Sequence, residues 1–154
     1  MKIRVGKRSD KSNYLKIQKE VFPKTDINRE KKFFDLKLKN KEIFVLEERG
    51  YVGHICFGSY PLSPPFGDSI FIEEFAIKKK FQGKGFGTLL IKELKRYCKK
   101  RRISYIYLGT NDKKNNKAIK FYKRLGFKRL GKLKNIECME EYPYGQLFYG
   151  LIVK

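Results

Sequence analysis

Phe81-Gln82-Gly83-Lys84-Gly85-Phe86-Gly87-Thr88 decides how the rest of the chain is read. A strand-like run from Ser69 to Ile77 leads into this stretch, and a long helical pattern leads out of it. Glycines at 83, 85 and 87 leave backbone N–H groups uncovered by side chains. The helix that follows adds its own unpaired N–H groups and the positive end of its dipole. Such a place suits an anion, above all a phosphate or pyrophosphate. A P-loop requires four residues between its first Gly and a Gly-Lys-Ser/Thr, which Gly83 does not provide. The dinucleotide fingerprint requires glycines at 83, 85 and 88, and position 88 is Thr.

Working outward, Phe86, Leu89, Leu90, Leu94, Tyr97 and Cys98 recur at helical spacing and predict the longest helix. Ile103 to Thr110 reads as a strand, and Asn111 or Asp112 as the cap of a helix carrying Ala118, Phe121, Tyr122 and Leu125. Gly126 ends that helix. Strands follow at Phe127 to Leu133 and Gln146 to Val153, with Lys134 to Gly145 irregular. Towards the amino terminus, Lys2 to Gly6 is a short strand. Ser9 or Asp10 caps a helix with Tyr14, Ile17, Gln18 and Val21 on one face, stopped at Pro23. A second helix runs from about Asn28 to Lys39. Ile43 to Leu46 and Tyr51 to Tyr60 form a hairpin about Arg49-Gly50. This order predicts an α/β fold around a mixed central sheet of about six or seven strands, with helices on both faces.

At 154 residues the expectation is a single domain, residues 1–154. A hydrophobic fraction of 41% supports a packed core, while 37 basic against 16 acidic residues give a net charge of +21. That charge predicts attraction to polyanions such as nucleic acid, a ribosome or a phosphorylated cofactor. Three dispersed cysteines, with no apolar leader after Met1, predict free thiols and a cytoplasmic location. No apolar run reaches the ~18 residues that span a bilayer, so no membrane partner is expected. His54 is the sole histidine and sits inside a strand pattern, which reads as structural. No metal site is legible.

Gln82-x-x-Gly85-x-Gly87 resembles the acyl-CoA pyrophosphate signature of the GNAT N-acetyltransferase superfamily. A second motif stands about thirty residues further on, as in that family. It is Asn115-x-x-Ala118-x-x-Phe121-Tyr122-x-x-x-Gly126-Phe127. Two independent motifs at the family's spacing are far more specific than either alone. The resemblance covers roughly Ser69 to Leu130.

The resemblance implies a GNAT-type sheet and acetyl-CoA as cosubstrate. The backbone of Phe75, Ala76 and Ile77 would pair with the pantetheine arm, and Gln82, Gly83, Lys84, Gly85, Phe86, Gly87 and Thr88 would hold the pyrophosphate. Asn115 would bond the cofactor, and Lys78, Lys79, Lys80 and Lys84 would meet its phosphates. Attack of an amine on the thioester forms an oxyanion, for which the N–H of Phe75 would be the donor. Tyr122, itself beside the cofactor, would be the general acid for the leaving thiolate. Histone-type members carry a base carboxylate four residues before the oxyanion amide, but that position is Phe71 here. Glu73, two residues before that amide, is the acid most often seen in other members, so the resemblance implies Glu73 as the first choice of base and Glu74 as the second, with a water relay as the third route.

Glu137, Glu140 and Glu141 lie in the loop that overlooks the acceptor side in such folds and are candidate substrate-binding residues. The acceptor implied is a primary amine: a small amine, a polyamine or a protein N-terminus. An acidic partner such as a ribosome would suit the basic surface, and homodimers are common in the family. The alternative reading is a basic RNA- or ribosome-binding module with a degenerate CoA pocket.

Overall fold

The computed structural model describes residues 1–61, 68–113, 116–133 and 146–154. Asn115, Glu137, Cys138, Glu140 and Glu141 lie outside them. The described residues form seven strands and four α-helices. In chain order these are β1 (Lys2–Val5), α1 (Lys11–Val21), α2 (Ile27–Lys39), β2 (Ile43–Glu47), β3 (Tyr51–Pro61) and β4 (Asp68–Ile77). Then come α3 (Phe86–Lys100), β5 (Tyr105–Asn111), α4 (Lys117–Arg124), β6 (Lys128–Leu133) and β7 (Gln146–Ile152). Short 3-10 turns occupy Arg8–Asp10 and Lys79–Phe81. The strands make one mixed sheet in the order β1-β2-β3-β4-β5-β7-β6, as the alternation of strands and helices predicts. No helix among the described residues is long and apolar enough to cross a membrane.

Contacts group the chain into two compact units. The first comprises residues 1–58 and 73–97. Asp26 caps α2 by accepting from the amides of Asn28 and Arg29, so the helix begins one residue before the expected start. The hairpin from β2 to β3 turns where Arg49 and Gly50 both take positive φ. Ile43 to Leu46 are buried on both faces, the mark of an interior strand. Tyr14 and Ile17 of α1 and Phe34 of α2 pack with Ile43, Val45, Tyr51, Cys56 and Ala76. Each fully buried aliphatic or aromatic side chain there contributes about 1.5–3 kcal/mol. On β1, Arg4 forks onto Asp10 at 2.7 and 2.8 Å and also pairs with Glu47 of β2. Asp10 in turn accepts from the Lys7 amide at 2.7 Å, so its side chain fastens the turn before α1 rather than capping the helix.

The second unit comprises residues 59–72 and 98–154. Here β4 runs parallel to β5 from Ser69↔Tyr105 to Ile72↔Leu108, and β5 pairs antiparallel with β7 along its whole length. The strand expected from Ile103 starts at Tyr105 instead. Arg102 takes φ 58° and the Ile103 amide donates to Cys98 O at 2.9 Å, so those two residues close α3. The cap of α4 also differs from the expected Asn111 or Asp112. It is Asn116, whose carbonyl oxygen accepts from the Ala118 amide at 2.9 Å. The Asn116 amide group donates back to Thr110 Oγ1 and Asn111 O, leaving Asn111 as the end of β5. Asp112 is engaged by Lys132. At the other end of α4, Gly126 takes φ 90° and the Phe127 amide reaches Tyr122 O at 3.1 Å.

Candidate active site

In the first unit, β4 ends at Ile77, and a 3-10 turn carries the chain through Lys79–Phe81 into the glycine stretch. Two hydrogen bonds tie the entry: the Lys78 amide to Val52 O at 3.0 Å and the Lys79 amide to Glu20 Oε1 at 2.7 Å. The Gln82 side chain donates to Ile77 O at 3.0 Å, bracing the loop against the strand end. Gly83 and Gly85 take φ values of 77° and 85°, the left-handed region that other residues rarely enter. Space around both is open, so backbone conformation rather than crowding calls for glycine there. Phe81 and Phe86 pack edge to face at 5.6 Å across the loop.

The first turn of α3 closes with the Leu89 amide on Gly85 O at 3.3 Å. The amides of Phe86, Gly87 and Thr88 come earlier and have no carbonyl one turn back within the helix. Lys84 and Lys80 lie near the Phe81 ring, at 6.0 and 5.0 Å, and add positive charge beside these donors. Oriented N–H groups, a helix amino terminus and two lysines make a site chemically suited to a pyrophosphate.

On β4 the two adjacent carboxyls keep different company. Glu73 is ion-paired with Lys37 of α2. The Lys37 ammonium, 3% exposed as a residue, also meets Glu42 at 3.0 Å and Phe57 O at 2.9 Å. Burial works against the Lys37 charge, but its bonds to Glu73 and Glu42 outweigh that and hold its pKa above the ordinary lysine value. Glu74 instead faces Gln18 of α1 and Glu30 of α2. Burial pushes its pKa up to about 7, and the negative charges of Glu30 and Glu73 act in the same direction. A hydrogen bond from Gln18 and the charge of Arg29 oppose them.

The structural reading of His54 agrees with its surroundings. It is fully buried, its Nδ1 is 3.0 Å from Tyr51 Oη, and burial pushes its pKa down to about 3. Cys56 and Cys98 are free and buried. No group of three or more His, Cys, Asp or Glu side chains that could hold a metal occurs among the described residues.

In the second unit Tyr122 is 7% exposed on α4, with its ring 5.2 Å from Phe121 and 5.5 Å from Phe127.

Sequence reasoning did not single out Lys37 or Glu30, because both sit on a helix whose apolar face is ragged and reads as solvated. Gln18 did carry a signal. It is a polar residue in register with Tyr14, Ile17 and Val21, on the face that turns inward.

The chain matches the model of the Acetyltransferase (GNAT) family over residues 12–127. Over 58 residues it is 45% identical to an uncharacterized N-acetyltransferase of Methanocaldococcus jannaschii, a match covering 36% of this chain and 24% of that relative. The chain thus spans about a quarter of that relative's length. A ribosomal-protein-alanine N-acetyltransferase from Brucella melitensis superposes with a TM-score of 0.80 at 19% identity, covering 99% of each chain. An aminoglycoside 6'-N-acetyltransferase complexed with coenzyme A gives 0.82 at 17% identity, covering 100% of this chain and 98% of that one. At these identities the superpositions speak to the fold. The family match takes in β4, the glycine stretch, α3 and Tyr122, and on it the chain belongs to the GNAT acetyltransferase family.

Proposed function

We propose that the protein is an N-acetyltransferase that moves acetyl from acetyl-CoA to a primary amine. The observation that carries this reading is the turn from Gln82 to Thr88. Its two positive-φ glycines and the first-turn amides of α3, which have no carbonyl one turn back within the helix, suit an anion cradle directly after β4. The pyrophosphate of CoA fits such donors, and the coenzyme A complex of the aminoglycoside acetyltransferase is consistent with it. Gln82 is spent on Ile77 O, so its part is to hold the loop in shape. Phe75, Ala76 and Ile77 are the proposed backbone partners of the pantetheine arm, with the Phe75 N–H as oxyanion donor. Asn115 is a proposed cofactor contact. Tyr122, whose phenol can donate a proton, is the proposed acid for the departing thiolate.

For the base the structure favours Glu74 over Glu73. Glu73 is already engaged by the buried Lys37, whereas burial raises the Glu74 carboxyl to a pKa of about 7, which is matched to the task. The amine arrives as R–NH3+ and loses one proton to ionised Glu74. The lone pair so freed attacks the thioester carbonyl; as the adduct collapses the C–S bond breaks, Tyr122 gives its proton to the thiolate, and the second proton lost from nitrogen restores Tyr122.

The acceptor is proposed to be a cationic primary amine drawn to Glu137, Glu140 and Glu141. A protein N-terminus is favoured among such amines by the Brucella neighbour, a ribosomal-protein-alanine acetyltransferase, and by a +21 charge suited to an acidic carrier. The test is release of free thiol from acetyl-CoA across a panel of small amines, polyamines and peptide N-termini. It is repeated with the three glutamates changed to Gln. Transfer to at least one amine is expected, with its KM raised about tenfold in the triple variant. No transfer to any amine, together with salt-sensitive RNA binding, would favour the binding-module reading that the charge alone suggests.

A further inference from the structure

The second unit gathers positive charge at one end of its sheet. Helix α3 closes through Arg102, at φ 58°, and through the Ile103 amide on Cys98 O, which brings Lys99, Lys100, Arg101 and Arg102 to the head of β5. There Tyr105 pairs with Ile152, and the Val153 amide donates to Ser104 O at 2.8 Å, so the tail of β7 and Lys154 lie beside them. On the other side of β7, Lys128 of β6 stands opposite Gly150 and Arg129 opposite Tyr149. Gly126, between α4 and β6, sits against Leu151 of β7, so Lys123 and Arg124 in the last turn of α4 join the same end.

The segments 98–107, 122–130 and 149–154 thus hold nine basic residues and no acid, and all nine are exposed. Asp68, just ahead of the Ser69↔Tyr105 pair, is the acid that joins them among the described residues. The whole chain has 37 basic to 16 acidic residues, so nine to one is a local concentration. Like charges crowded in this way repel one another and are relieved by an anion. Cations in the last turns of α3 and α4 also complement the helix carbonyls there. That does not account for Arg102, Lys128, Arg129 and Lys154, which stand on a turn, on the edge strand and beyond β7.

We propose that this end of the second unit docks on the phosphate backbone of a folded RNA. Four of the nine cations are arginines, whose planar fork matches phosphate oxygens. Binders of single strands stack bases on exposed aromatic rings, but here Phe127 and Tyr149 are buried and Tyr105 is half-buried. Docking on a bilayer draws on an apolar helix face beside the basic one. The apolar faces of α3 and α4 are spent inside the protein, at Leu94, Cys98 and Tyr122, and the exposed Leu130 and Ile152 stand on strands. The choice of RNA over duplex DNA rests on the proposed acceptor, a protein N-terminus on an acidic carrier, since the ribosome that makes such termini is built largely of RNA.

The test is fluorescence anisotropy of a labelled RNA hairpin titrated with the whole chain at several salt concentrations. Binding is expected, with log affinity falling linearly against log salt at a slope steeper than about −3. Changing Lys99, Lys100, Lys128 and Arg129 together to Gln should weaken binding at least about tenfold and flatten the slope by about 2 or more. Changing Lys16, Lys31, Lys32 and Lys39 to Gln removes as many charges from α1 and α2 and should weaken it less than about threefold. Equal losses in the two variants overturn the proposal, because net charge and not this surface would then carry the binding. If the first variant does not fold, Lys123→Gln with Arg124→Gln replaces it, with a loss of at least about threefold expected. Tighter binding to a single strand, to a DNA duplex, to polyglutamate or to phosphatidylserine vesicles also overturns it. Acetyl transfer to free peptides is expected to survive in the first variant. RNA docking without acetyl transfer in wild type would keep this surface and sink the enzymatic reading, whereas transfer without RNA docking would do the reverse.

Discussion

Glu73 and Glu74 are one residue apart and do different work because of what each meets. Glu73 neutralises Lys37, whose ammonium has left water and relies on Glu73, Glu42 and Phe57 O. Removing one counter-ion leaves a buried cation undercompensated. Glu73→Gln should therefore lower stability by about 1–3 kcal/mol in urea unfolding at pH 7, yet keep the acid limb of the pH–rate profile. A variant as stable as wild type but inactive would return the base to Glu73. The sequence made both carboxyls visible, as acids inside an apolar strand. It could not rank them, since the deciding partners, Lys37 and Glu30, lie more than thirty positions away on α2. Residue type alone gives those two as solvated surface.

At the scale of elements, α4 shows how one polar side chain sets a boundary. Asn116 accepts from Ala118 N and donates to Thr110 and Asn111, so one side chain starts the helix and ends the strand before it. Asn116→Ala should cost about 1–2 kcal/mol of stability, read by thermal or urea unfolding, because both sets of bonds go. Asn111→Ala should cost less, although the sequence reading named it, alongside Asp112, as a candidate cap. Asn111, Asp112 and Asn116 are all good capping residues, and the choice among them depends on how far β5 extends. That length is set by its register with β7, from Tyr105↔Ile152 to Asn111↔Gln146, and no local pattern encodes it. By contrast α3 was legible throughout. Leu90, Leu94 and Cys98 recur on one face and all are buried, joined by Ile91.

For the molecule as a whole, the alternation of strands and helices around one glycine turn was enough to foresee a mixed sheet. The insertion of β7 between β5 and β6 was not foreseeable, because antiparallel neighbours of that kind carry no local signal. Of the candidate site, the glycine turn was the most legible part, since its demands fall on consecutive backbone positions. The central claim is that this turn holds CoA, and calorimetric titration of acetyl-CoA into wild type, Gly85→Asp and Gly85→Asn tests it most directly. Gly85 sits at φ 85°, which Asn tolerates far better than most residues, so Asn controls for backbone strain while Asp adds a negative charge among the amides. The account predicts saturable binding to wild type, a modest loss in Gly85→Asn, and at least about a hundredfold loss in a folded Gly85→Asp. Equal acetyl-CoA affinity in wild type and folded Gly85→Asp would contradict it.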